Sequence, residues 1–456
     1  MKALKPRSRS RRRIPVLGAA VLVVGALAAP AVADAIDEAP SARHTQRAAA
    51  AKNVILLIGD GMADSEITLA RNYTVGAAGR LHLDRLPMTG SYTTYAVDSG
   101  KRPVYVTDSA ASASGWATGH KTVNGRISKT PDTDRALPTI LEIAQRNGLA
   151  TGSVTTAALT DATPAAIAAH ATDRSCQGPS DMARCPADTL VNGGPGSIAE
   201  QSVARRVDVL FGGGKKRFDQ VITDGRYKGM TVTEQARKEG YQVVNDARQL
   251  KGVRPGRPVL GLFAPGTVPV EWTGTPAAVG GTAPQRCITR NPERPADTPS
   301  LEEQTRKALA LLEAKRAGAG KGFFLQVEGA SIDKQAHDAD PCGQIGELAA
   351  FDRAVKVARA YATEHPDTLV IATGDHAHAT QIVPVEANPP GLSATLVTDE
   401  GGRMKVSYGT NAAADGQEHS GVQVRLAGQG PHADRLLEVT DQTKLFTTIR
   451  DALRLR

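Results

Sequence analysis

The sequence predicts an α/β fold of three layers, a mostly parallel central sheet with helices on both faces. Three observations predict it. First, the runs Asn53–Gly59, Gly322–Val327 and Thr368–Gly374 are continuously apolar rather than alternating, as expected of strands buried on both faces. Second, helical patterns over 301–317 and 347–364 each precede one of these strands, the helix-then-strand order of a doubly wound sheet. Third, the runs end in Asp60, Glu328 and the pair Asp375–His376, at the carboxyl ends where such sheets bind ligands. Burying several carboxylates without a counter-charge is costly, and bound cations are the usual remedy, so the pattern predicts a metal site.

Taken from the amino terminus, residues 1–33 read as a secretory signal peptide. Lys2, Lys5, Arg7, Arg9, Arg11, Arg12 and Arg13 precede an apolar run from Ile14 to Ala29, and Ala31-Val32-Ala33 supplies small residues for cleavage. The run is short for a membrane span and is bracketed by Pro15 and Pro30. Ser10-Arg11-Arg12-Arg13 also resembles a twin-arginine signal, so export by either a Sec or a twin-arginine route is expected. Residues 34–52, polar and Ala-rich, read as a flexible arm. From residue 53 to 456 a single domain is expected, with a helix over 138–147, a strand over 150–156, and an elaboration at about 212–300 where Gly, Pro and Thr accumulate. The polar stretch 384–418 reads as a hairpin or flap.

Losing seven basic residues and no acidic one with the leader lowers the net charge from +8 to +1, so no nucleic-acid partner is implied, nor any membrane attachment after cleavage. Four cysteines in an exported chain suggest two disulfides in one of three connectivities. A local Cys176–Cys185 pair with a long-range Cys287–Cys342 pair is the preferred one, and a four-thiolate zinc site is the alternative.

Chemistry concentrates in a few segments. Asp333 and His337 stand four apart and share a face if helical, a spacing that suits zinc, although a surface pair would also produce it. The chain has ten histidines, and His337, His376 and His378 directly follow acidic strand ends. Ser109, after Asp108 in a small-residue segment at a helix start, is a candidate nucleophile beside a positive helix terminus, where a simple Asp or Ser cap is the plainer reading. No Ser-His-Asp elbow accompanies it, so activation by a metal is expected. Asp161 and Thr163 suit a hard cation such as magnesium, and Arg174 offers a fork for two phosphate oxygens.

Six segments carry a family resemblance: 54–62, Thr107-Asp108-Ser109-Ala110-Ala111-Ser112, 161–166, 327–334, Gly374-Asp375-His376-Ala377-His378 and Gln417-Glu418-His419-Ser420-Gly421. In this order they resemble the bacterial alkaline phosphatases, from residue 53 to the carboxyl end. The resemblance implies one zinc ion on Asp333, His337 and His419, a second on Asp60, Asp375 and His376, and one magnesium on Asp60, Thr163 and Glu328. Two Zn2+ and one Mg2+ per subunit are therefore expected. It further implies Ser109 as nucleophile, Arg174 as phosphate clamp, Asp108, Asp161 and Lys334 as supporting catalytic groups, and His378 as the orienting partner of Asp333. The pairs Cys176–Cys185 and Cys287–Cys342 match the family disulfides, and a homodimer is implied. The expected activity is hydrolysis of phosphate monoesters through a phosphoserine. The alternatives are a phosphodiesterase or sulfatase of the same superfamily, or an exported phosphate- or metal-binding protein without turnover. The segment at Ser109 lacks the Cys/Ser-x-Pro-x-Arg pattern of sulfatases, and simple binding needs no nucleophile.

Overall fold

The computed structural model describes residues 50–456 except residue 320. The expected signal peptide, 1–33, and residues 34–49 of the expected arm lie outside the described residues. The last residues assigned to that arm are pinned: Ala51 is buried and its N–H donates to Ala452 (3.0 Å), while Lys52 N–H donates to Asp367 (2.8 Å). Residues 51 and 52 therefore belong to the packed domain.

Ten strands form the main sheet among the described residues. Their order is Val439–Asp441, Met88–Thr93, Val424–Gln429, Thr368–Gly374, Asn53–Gly59, Phe323–Gly329, Ala150–Ala158, Val209–Gly213, Val259–Leu262 and Gln242–Val244. The seven strands from Thr368–Gly374 to Gln242–Val244 are all parallel, and Val424–Gln429 runs against its two neighbours. Alternate residues of Asn53–Gly59 enter opposite cores. Val54, Leu56 and Ile58 join one cluster with Ala113, Trp116, Ile140 and Ala165; Ile55 and Leu57 join another with Ile67, Leu312, Ile345 and Val355. Helices thus cover both faces, which is why these strands are apolar at every position rather than at every second one.

Element boundaries shift from expectation, and the helix expected over 138–147 is Ile140–Arg146. The long helix is Pro341–Glu364, not 347–364. Its first turn, Pro-Cys-Gly-Gln-Ile-Gly, looks like loop, yet Pro fits the first helical position and Asp340 caps it by accepting from Cys342 and Gly343 N–H (2.9 and 3.1 Å). The strand expected over 150–156 continues to Ala158. Within the stretch 212–300, Gln242–Val244 and Val259–Leu262 extend the main sheet. The expected hairpin in 384–418 is present as Leu392–Val397 paired with Arg403–Tyr408, within a separate four-stranded sheet.

Both disulfides form, Cys176–Cys185 and Cys287–Cys342, with sequence separations of 9 and 55. No thiol is left for a zinc site. If chain entropy governs their effect, removing Cys287–Cys342 by paired Ser substitutions should cost about 4 kcal/mol and removing Cys176–Cys185 about 2.5 kcal/mol. Denaturant titration of the two variants checks this order, and a larger loss from the short loop would contradict it.

Candidate active site

The parallel register places the acidic residues. Ile58 aligns with Glu328, and Gly59 aligns with both Gly329 and Gly374, so Asp60 and Asp375 leave neighbouring strands at one level, with Glu328 two residues inside. Gly61 locks this junction: its φ is +66°, its N–H donates to Asp375 Oδ1 (2.8 Å), and a Cβ there would lie 2.9 Å from Asp333 Cα. Asp333 and His337 project from the helix Ser331–His337 that follows the Glu328 strand.

Three histidine Nε2 atoms converge on Asp333 Oδ1, from His337 at 3.4 Å, His378 at 3.2 Å and His419 at 3.2 Å. Their other nitrogens decide what each one offers. His337 Nδ1 faces the Gln417 carbonyl and His419 Nδ1 the Thr107 carbonyl (3.1 Å), so each carries its proton there and turns an Nε2 lone pair inward. His378 is reversed: its Nδ1 accepts from Ala379 N–H (2.9 Å), which puts the proton on Nε2 and makes this ring a donor to Asp333, not a metal ligand. His376 is fully buried, with Nε2 3.2 Å from Asp375 Oδ2, 3.6 Å from Asp60 Oδ1 and 3.3 Å from Ser109 Oγ.

Ser109 is the first residue of the helix Ser109–Thr118, and Asp108 is its N-cap. Asp108 has two duties. One carboxylate oxygen accepts from Ala111 N–H (2.9 Å); the other accepts from Gly125 N–H (3.0 Å) and Arg174 Nη1 (3.1 Å). Arg174 Nη2 also donates to Asp161 (2.9 Å), whose second oxygen accepts from Lys334 Nζ (2.9 Å), giving a charged chain Asp108–Arg174–Asp161–Lys334. Asp161 caps the helix Ala162–Ala168, whose second residue, Thr163, is buried. Ser109, Asp108, Arg174, Asp333, Lys334, His337 and His419 line one open cavity of about 380 Å³ together with Val106, Thr107, Asn124 and Glu418. Behind the cavity lining, Asp161 meets Arg174, His376 meets Ser109, His378 meets Asp333, and Asp60 and Asp375 meet His376.

The electrostatics are those of a site built around missing positive charge. Burial raises Asp60 well above the ordinary carboxylate value, and the charges of Asp375, Asp333 and Glu328 add to it. Burial likewise takes Glu328 up to about 7, against a hydrogen bond from Thr155, and Asp375 up to about 6 with help from Asp333. For Asp333 burial also acts upward, but the three histidines outweigh it and hold the carboxyl well below its usual range. Asp161 is lowered in the same way, burial being overcome by Lys334 and Arg174.

The residues fit metal ions on three counts. Asp60 Oδ1, Asp375 Oδ2 and Thr163 Oγ1 are buried without a hydrogen-bond partner, which is costly unless a cation meets them. The donors form two nitrogen-and-oxygen groups, Asp333 with His337, His378 and His419, and Asp60 with Asp333 and His376. The spacings among inward-facing atoms, 3.1 Å for His337 Nε2 to His419 Nε2 and 3.2–3.4 Å to Asp333 Oδ1, approach the tetrahedral edge of about 3.3 Å implied by ligand bonds of about 2.0–2.1 Å.

Sequence reasoning missed the groups that hold this geometry from behind. Trp116 Nε1 donates to Gln326 (3.1 Å), whose amide donates to the Thr163 carbonyl (3.0 Å), tying the Ser109 helix to the Thr163 helix through the Glu328 strand. Ser112 Oγ and Gln442 Nε2 both donate to the Asp375 carbonyl (2.7 and 3.1 Å), and the Tyr92 hydroxyl donates to Gly374. A buried glutamine within a strand run was a usable signal for Gln326. Nothing local marks Gln442.

Residues 51–414 match the family described as Alkaline phosphatase. The chain is 63% identical over 448 residues to a streptomycin-6-phosphate phosphatase of Streptomyces griseus, covering 98% of each chain. It is 50% identical over 429 residues to alkaline phosphatase of Escherichia coli strain K12, covering 92% of this chain and 90% of that one. Among solved structures, a cold-active alkaline phosphatase from Shewanella has a TM-score of 0.66 at 24% identity, covering 88% of this chain and 99% of that one, and supports the fold.

The raised carboxyls carry a pH dependence. Their folded values, about 7 for Glu328 and about 6 for Asp375, lie above the ordinary 4.5 and 3.8, so without cations the native state binds more protons than the unfolded chain across that window. Stability contributed by the protonated forms is present below about pH 4 and is lost as pH rises toward 7. Chelated protein should therefore melt at a lower temperature at pH 8 than at pH 5, and zinc plus magnesium should raise the melting point more at pH 8. Calorimetry with and without metal checks both; a metal effect equal at the two pH values would contradict the assignment.

Proposed function

Because the chain belongs to the alkaline phosphatase family and is a phosphomonoesterase, we propose that it works through a phosphoserine on Ser109 beside two zinc ions and one magnesium ion. The first zinc falls to Asp333, His337 and His419, the second to Asp60, Asp375 and His376, and magnesium to Asp60, Thr163 and Glu328. Bound there, the ions supply Lewis-acid neutralisation of the phosphate charge and lower the pKa of the attacking oxygen. The single observation that carries the reading is the position of Ser109 Oγ, 3.3 Å from the inward nitrogen of His376 and in one cavity with Arg174.

The chain's own residues do the rest. The helix start at Ser109 presents its hydroxyl with a positive dipole end behind it. Arg174, its fork held by Asp108 and Asp161, engages two non-bridging phosphate oxygens. Asp161 holds Lys334 toward the same phosphate. Ser109 Oγ attacks phosphorus in line, the ester P–O bond breaks and the alcohol leaves; water then displaces Ser109, and two inversions give net retention. A broad range of monoesters is accepted at alkaline pH because few groups face the leaving alcohol. Residues 53–456 act as one catalytic domain, the mature chain follows export after cleavage near residue 33, and two copies associate. No described helix is long and apolar enough to cross a membrane.

Ser109→Ala should abolish phosphoenzyme formation and lower turnover by at least about 10³-fold, on the scale of nucleophile loss in other hydrolases, while metal content stays unchanged. The same assay set against a diester and a sulfate ester decides among the superfamily chemistries: a diester preference, or full turnover by the variant, would overturn the reading. A second, narrower reading is favoured by the Streptomyces griseus relative, whose name gives streptomycin 6-phosphate as its substrate. It predicts a kcat/KM for that ester at least tenfold above p-nitrophenyl phosphate, and equal values would leave only the broad reading.

A further inference from the structure

The charged groups lining the catalytic cavity are nearly all engaged. Asp108 and Asp161 hold Arg174, Asp161 holds Lys334, and Asp333 faces three histidines. Glu418 differs. It lines the same cavity, is exposed, and among the described residues no cation stands within ion-pair distance of its carboxylate. Its backbone is nonetheless tightly placed. Gln417 N–H donates to the His337 carbonyl (2.8 Å), Glu418 N–H donates to Thr410 Oγ1 (2.8 Å), the Thr410 hydroxyl returns a bond to the Glu418 carbonyl (2.9 Å), and His419 is held by Thr107 (3.1 Å).

The Glu418 backbone is therefore fixed between the two segments that carry His337 and His419, in the same cavity as Arg174 and Ser109. A phosphate drawn to Arg174 and Ser109 leaves its ester substituent to extend past these histidines. Whatever that substituent carries meets one unneutralised negative charge.

We propose that Glu418 is a specificity-determining residue that favours phosphate monoesters whose alcohol bears a fixed positive charge, such as a quaternary ammonium. This deepens the monoesterase reading and rests on it. The interaction is partly solvated, so its size is that of an exposed ion pair: about 1 kcal/mol at most, or about fivefold in kcat/KM. It is long-range enough to act without a shaped pocket, and screened by salt.

The test compares phosphocholine with 3,3-dimethylbutyl phosphate, which replaces the quaternary nitrogen by carbon and keeps the shape. With the metal-loaded wild-type protein at low ionic strength, phosphocholine should be hydrolysed with a three- to fivefold higher kcat/KM, the ratio falling toward one in 1 M salt. Glu418→Gln should bring the ratio to about one at low salt and Glu418→Lys below one, while kcat/KM for the neutral ester changes less than twofold in both. That unchanged neutral rate also reports that the variants fold and hold metal. Equal ratios in wild type and Glu418→Gln, or a parallel loss on both esters, would overturn the assignment of specificity to this carboxylate. If neither ester nor p-nitrophenyl phosphate is hydrolysed by the wild type, the monoesterase reading fails, and this inference with it.

Discussion

Too much negative charge in too little water is the constraint on which the rest of this structure depends. Asp60, Glu328, Asp333 and Asp375 are all buried, and their charges raise one another's affinity for protons. Histidines relieve only one of the four, Asp333. The other three stay high, and Asp60 and Asp375 each keep an oxygen that faces no hydrogen-bond donor. A protein interior tolerates such a group when cations complete it, and the phosphate ester then binds to what is in effect a positive surface. The same concentration of ligands therefore explains the cost of the metal-free fold and the attraction for an anionic substrate.

Holding these groups apart by fixed amounts is a task for rigid elements. Three parallel strands set the heights of Asp60, Glu328 and Asp375 through main-chain pairing alone, and helices on opposite faces bring Ser109 and Asp333 to the same edge. Behind them, Gln326 and Gln442 span the gap between sheet and helix with amide bonds in an otherwise apolar core. Each such buried amide is satisfied on its donor side, and a directional tie of this kind specifies one helix position where apolar packing alone would admit several. The loop 417–420, by contrast, is held by bonds to His337 and Thr107 yet leaves the Glu418 side chain exposed at the cavity.

Much of this was legible in the chain. The apolar strands, the acidic residues at their ends and the Asp333–His337 spacing are local patterns, and each predicted its place. The helix that begins at Pro341 was read as starting six residues late because its Gly- and Cys-containing first turn has no helical periodicity, and the capping by Asp340 depends on a turn geometry visible only after folding. The three-residue strand Gln242–Val244 was similarly hidden, since its pairing partner, not its composition, makes it part of the sheet.

By itself the sequence determined the layer architecture, the identity of the donor atoms and the chemistry they favour, because hydrophobic period and residue type act over a few neighbouring positions. Only the tertiary structure decided which nitrogen of His337, His378 and His419 faces inward, and that Gly61, Gln326 and Gln442 hold the frame. Those outcomes depend on partners as far as 314 residues away in the chain, such as Asp375 for Gly61, and a tautomer or a buried amide is settled by the group it meets rather than by its own neighbours in sequence.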